Sequence, residues 1–106
     1  MEKYIRDGKV AVLVSTGYGS GWSTCNPEYP ALKYDPEIVA KVLENPEKLD
    51  VLSIYDIVER KYPNMYTGGI QNVCVKWVDI GEKFIITEYD GFESLSLLKN
   101  MPFETA

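Results

Sequence analysis

The chain has 106 residues, a net charge of −5, no histidine and two cysteines. That length suits one domain, residues 1–106, and the missing histidine removes the usual general base and the commonest transition-metal ligand. The eleven basic residues are scattered, which argues against a nucleic-acid polymer as partner, and no apolar run reaches the roughly 18 residues of a membrane span.

The charged opening, Met1 to Lys9, has no apolar signal core, so the cytosol is the expected compartment. Lys9 to Ser15, KVAVLVS, is a valine-rich run that predicts a buried strand. A glycine-rich loop, STGYGSGWSTCNPEYP, follows without helical or strand periodicity. Asp35 before Pro36 and Glu37 is a helix start, and Asn45-Pro46 a stop, which predicts a helix from Pro36 to about Glu44. A second helix runs through DVLSIYDIVERKYP, with Val51, Leu52, Tyr55, Ile57, Val58 and Tyr62 as its apolar stripe and Pro63 as its end. Asn64 to Gly69 is a second irregular turn.

The last third changes period. Asn72–Val78, Lys83–Tyr89 and Phe92–Leu97 read as strands, with Asp79–Glu82 and Asp90-Gly91 as the turns between them. The expected fold is α+β in the order β-α-α-β-β-β. A C-terminal antiparallel three-strand meander packs against two short helices, beside a long N-terminal glycine-rich loop. The Asp-Gly turn pairs Tyr89 with Phe92, Glu88 with Glu93, Ile86 with Leu95 and Phe84 with Leu97. The four-residue turn pairs Val78 with Lys83, Trp77 with Phe84 and Val75 with Ile86. One face then carries Val73, Val75, Trp77, Phe84, Ile86, Leu95 and Leu97. The other is mixed, and meets either solvent or a second subunit.

This register sets Glu88 and Glu93 side by side, where like charges about 5 Å apart are destabilising. Either the sheet end frays into water, or the pair awaits a group with hydroxyls, amines or a cation. Ribose diols are commonly held by a carboxylate.

Gly17, Gly19 and Gly21 permit positive φ and close backbone approach. Neither G-x-G-x-x-G nor a Gly-Lys-Ser/Thr ending is present, so the Rossmann and P-loop templates fail. An anion nest built from backbone N–H groups with Ser20, Ser23 and Thr24 remains. Tyr18, Trp22 and Tyr66 offer ring faces, although Trp22 equally suits the core as the pin of the loop. Asn26 serves either the site or a turn before Pro27, and Thr67 and Gly68 either the site or a chain reversal. Lys33, Lys76 and Lys83 are the cations available to phosphate. No nucleophile with an adjacent base is visible, so no catalytic residue, metal or cofactor is assigned. A hydrolase would have to run on Glu88, Glu93 or Asp90 with a metal.

Three segments carry a resemblance. Tyr18 to Pro30 fits Y-G-x-G-W-S-T-x-N-x-E-Y-P, Lys61 to Gly69 fits K-Y-P-x-x-Y-T-G-G, and Glu88 to Ser94 fits E-Y-D-G-x-E-S. Together they resemble a family of small phage-encoded proteins. Cys25 stands where that family usually carries tryptophan, so a stacking role there does not carry over. The resemblance implies action in the host bacterial cytoplasm against a defence system. The expected function is to bind and sequester, uncleaved, a nucleotide-derived immune signal of the cyclic ADP-ribose or cyclic oligonucleotide type. The alternatives are a protein that inhibits a host defence enzyme by direct contact and, after it, a carboxylate- and metal-dependent phosphodiesterase. The expected site is Tyr18, Gly19, Ser20, Gly21, Trp22, Ser23, Thr24, Asn26, Tyr66, Thr67, Gly68, Glu88 and Glu93, and the expected assembly is a homo-oligomer around a small nucleotide-like ligand.

Overall fold

The computed structural model describes residues 1–100. It is an α+β fold with two helices and two antiparallel sheets. The first sheet orders β1 (Ile5–Arg6), β2 (Lys9–Ser15) and β3 (Val73–Asp79) side by side. The second is a hairpin of β4 (Phe84–Tyr89) and β5 (Phe92–Leu97). Between β2 and β3 the chain forms helices α1 (Pro36–Glu44) and α2 (Val51–Lys61).

Both helices start as their sequences dictate. Asp35 accepts hydrogen bonds from the N–H groups of Glu37 (2.9 Å) and Ile38 (3.0 Å), satisfying two donors that an uncapped helix leaves orphaned. Asp50 caps α2 through Ser53 N at 3.1 Å. The inward stripe of α2 is Ile54, Ile57 and Val58, a set at i, i+3 and i+4. The expected stripe is corrected here. Ile54 belongs to it, while Leu52 (79 % exposed) and Tyr55 (40 %) stand outward, because at 100° per residue Leu52 falls on the side opposite Ile54 and Tyr55 on the flank.

Strand β2 is buried at every residue from Ala11 to Ser15. Continuous burial without alternation means that both of its faces are covered, as its unbroken apolar run requires. Ala11 and Leu13 join Trp22, Leu32, Ile38, Val39, Ile54 and Val58 in the main core.

The three-strand meander does not form. β3 pairs with β2 along its full length, from Lys9↔Asp79 to Ser15↔Val73, and β4 pairs with β5 alone. A four-residue turn permits pairing but does not enforce it. Here Gly81 takes a positive φ of 88°, and Ile80 N donates to Gly8 O (3.0 Å), tying the turn back to the β1–β2 hairpin. The β4–β5 register has the expected pairs: Phe84↔Leu97, Ile86↔Leu95, Glu88↔Glu93 and Tyr89↔Phe92. Asp90 (φ 50°) and Gly91 (φ 83°) are both left-handed, the conformation that matches a two-residue turn to strand twist.

Candidate functional site

Glu88 and Glu93 are register partners, yet their surroundings differ completely. Glu93 is 1 % exposed. Its Oε1 accepts from Ser15 N at 3.0 Å, and its Oε2 accepts from Trp22 N (2.9 Å), Thr24 N (3.0 Å) and the Thr24 hydroxyl. These four donors replace water around the charge, the condition for burying a carboxylate without a cation beside it. Glu88 is exposed and accepts from Gly91 N at 2.6 Å across the hairpin turn. The glycine-rich loop is therefore an anion nest, filled by the protein's own carboxylate. Buried and with both oxygens engaged inside the protein, Glu93 is closed to a ribose, which corrects the expected pair.

Other expected site residues turn inward for the same purpose. Trp22 is fully buried, and its indole N–H donates to Leu32 O at 3.3 Å, so its ring lies in the core and flanks no ligand. The buried Asn26 amide donates to Trp22 O (2.8 Å) and Tyr66 O (3.1 Å) and accepts from Tyr66 N (2.7 Å). That side chain stitches the first glycine loop to the second. Ser20 is 6 % exposed, and its hydroxyl accepts from the Asn72 amide at 2.7 Å. Gly21 packs so closely on the second loop that a Cβ on Gly69 would collide with the Gly21 carbonyl.

Two open concavities flank this pinned loop. The first, about 590 Å³, is lined by Gly19, Ser20, Cys25, Tyr66, Glu88 and Asp90. The Tyr66 hydroxyl donates to Gly19 O at 2.9 Å, and Gly68 lies against the Tyr66 ring. This cleft has two carboxylates and no lysine or arginine in its lining, so its field opposes a phosphate. Tyr18 stands 71 % exposed against Phe92, with ring centroids 5.2 Å apart. Thr67 lines a separate hollow with Tyr62 and Asn64.

The second concavity is a groove of about 750 Å³ on the other side of the Ser23–Cys25 turn. Ser23 and Thr24 form part of its wall, and Lys3, Lys33 and Lys83 line it with Tyr34 and Phe84. The ammonium of Lys3 lies 4.8 Å from the Tyr34 ring centroid and that of Lys33 5.9 Å from it. Tyr34 and Phe84 meet edge to face at 6.4 Å. Burial pushes the Tyr34 phenol above its ordinary pKa, so it is a neutral donor at pH 7. Among the described residues, none of the three lysines forms an ion pair; Lys9, Lys41, Arg60, Lys61 and Lys99 take those roles. In an acidic chain, three ammoniums without an ion pair among the described residues, against the single carboxylate of Glu82, leave the groove lining net positive.

Ser23 and Thr24, expected in the nest, share this groove with Lys33 and Lys83, offered by the sequence for phosphate, and with Lys3, Glu82 and Phe84, which were not among the expected residues. Lys3 sits in the segment before β1, far from the loop in sequence, and no local pattern connects it to Lys83. Lys76 lies on β3 opposite Val12, outside the groove lining. Among the described residues, no group of three or more histidine, cysteine or acidic side chains is placed to hold a metal, and no helix is long and apolar enough to cross a membrane. Burial raises the Cys74 thiol pKa above its ordinary value, which favours the protonated thiol. No family model, curated protein or solved structure matches the chain.

Proposed function

We propose that this protein binds a nucleotide-derived signal without cleaving it, and that the ligand lies in the lysine groove. The observation that carries this is the convergence of Lys3, Lys33 and Lys83 on the ring pair Tyr34 and Phe84, beside the hydroxyl of Ser23. Ammoniums take phosphate charge, the Ser23 hydroxyl donates to its oxygens and the rings offer apolar area to a base. The groove volume, about 750 Å³, falls within the range of small-molecule sites. The rigid loop supports the role: its Thr24 is fixed by Glu93, so little order is lost on binding.

The resemblance of three motifs to small phage proteins supports an immune signal as the ligand and the host bacterial cytoplasm as the place of action. Useful sequestration requires about 12 kcal/mol, or nanomolar affinity. Self-association belongs to the same reading; the outer hairpin face offers Ile85 and Tyr89, 41 % and 78 % exposed.

A second reading, direct contact with a host enzyme, is favoured by Leu52 and Tyr55 standing outward on α2. One experiment separates the two. The protein is incubated with cyclic ADP-ribose-type and cyclic oligonucleotide signals, freed of excess, heat-denatured, and the supernatant analysed by mass. Intact nucleotide released by heat is the expected result. Retention of none overturns the proposal in favour of a protein partner, and recovery of cleaved product overturns it in favour of a phosphodiesterase.

A further inference from the structure

The lysine groove contains one carboxylate among its lining residues, Glu82. The turn after β3 fixes its backbone, with Glu82 N donating to Asp79 O at 3.0 Å. Its Oε1 accepts from Lys99 Nζ at 2.9 Å. Lys99 lies outside the groove lining, and among the described residues no groove lysine pairs with Glu82. The side chain is therefore anchored from behind, while Lys3, Lys33 and Lys83 stay available. Its Oε2 has no protein partner among the described residues.

A carboxylate in a phosphate site weakens the attraction for phosphate, so its presence suits a ligand that also brings hydrogen-bond donors. The vicinal hydroxyls of ribose are two such donors, and a carboxylate is their common acceptor. Resting on the groove reading above, we infer that Glu82 receives the ribose diol. The site then selects nucleotides whose 2′- and 3′-hydroxyls are both free. Diphosphates of the ADP-ribose type meet that requirement. Cyclic oligonucleotides, whose linkages consume one hydroxyl of each pair, do not.

Calorimetric titration with ADP, 2′-deoxy-ADP and inorganic pyrophosphate tests this. The wild type is expected to bind ADP about tenfold more tightly than 2′-deoxy-ADP, the worth of one hydrogen bond to a charged acceptor. Glu82→Gln should narrow that ratio to about twofold and leave pyrophosphate binding equal or tighter, since a repelling charge is removed. Equal wild-type affinity for ADP and 2′-deoxy-ADP overturns the role of Glu82 while leaving the phosphate site standing. Glu82→Gln weakening pyrophosphate as much as ADP marks a structural role and overturns it too. If neither ADP nor pyrophosphate binds the wild type, the groove reading fails and this inference fails with it.

Discussion

The Glu93 carboxylate and the backbone N–H of Trp22 meet at 2.9 Å, 71 residues apart in the chain. This bond joins the C-terminal hairpin to the glycine-rich loop and orients the loop so that Trp22 enters the core while Ser23 and Thr24 face the lysine groove. Removing the carboxylate orphans the buried N–H groups of Ser15 and Trp22 together with the N–H of Thr24. Glu93→Ala should lower unfolding stability by about 3–5 kcal/mol in urea titrations. Glu88→Gln, at an exposed turn, should change it by less than about 0.5 kcal/mol.

Trp22 and Tyr18 are four residues apart and have opposite environments. Trp22→Ala should cost about 3–5 kcal/mol, because it empties a fully buried site. Tyr18→Ala should fall within about 1 kcal/mol of wild type, because its ring is mostly exposed and packs against Phe92 at the surface. Chemical denaturation of the two variants side by side measures the contrast.

Charge reversal in the groove should separate binding from folding. Lys33→Glu with Lys83→Glu should weaken nucleotide binding at least tenfold, which is about 1.4 kcal/mol, and leave the melting temperature within a few degrees. Wild-type affinity should fall as salt rises from low to physiological ionic strength, since exposed charges are screened over about 8–10 Å. Lys76→Glu, outside the groove lining, is the control and should bind as the wild type does.

Alkaline pH should destabilise the fold through the cluster around Asp35. The Tyr62 hydroxyl donates to the buried Asp35 carboxylate at 2.5 Å. Burial, and then that hydrogen bond, raise the Tyr62 pKa well above 10.0. Against the opposing pull of burial, hydrogen bonds to Asp35 and Glu37 also raise the Lys61 pKa above 10.5. In both cases the folded state holds its proton after the unfolded chain has released it. The stabilisation is therefore complete below about pH 10 and is lost as pH rises through the folded values. Urea midpoints measured from pH 8 to 11 should fall beyond pH 10, and Tyr62→Phe should shrink that fall while lowering stability at pH 8 by about 1–3 kcal/mol.

Local chemistry made much of this molecule legible. Asp35-Pro36 announced the helix start, and Asp90-Gly91 fixed a register that brought Glu88 and Glu93 together. The same Asp-Gly signal stands at Asp7-Gly8, where both residues have positive φ and join β1 to β2. It was obscured because β1 spans only two residues and has no apolar run. The choice of β2 rather than β4 as the partner of β3 was not legible, since pairing between distant strands leaves no local trace. Glu93 shows the same limit. A like-charge pair signals something unusual, but only the fold reveals that the expected anion nest and the expected free carboxylate satisfy each other.

The most direct measurement is a two-dimensional amide NMR titration of the ¹⁵N-labelled protein with ADP. Binding in the lysine groove predicts that the largest shifts fall on Ser23, Thr24, Lys33, Tyr34, Lys83 and Phe84, with Gly19, Tyr66 and Glu88 nearly still. Shifts centred on Gly19, Tyr66 and Glu88, or no shifts at millimolar ADP, would contradict it.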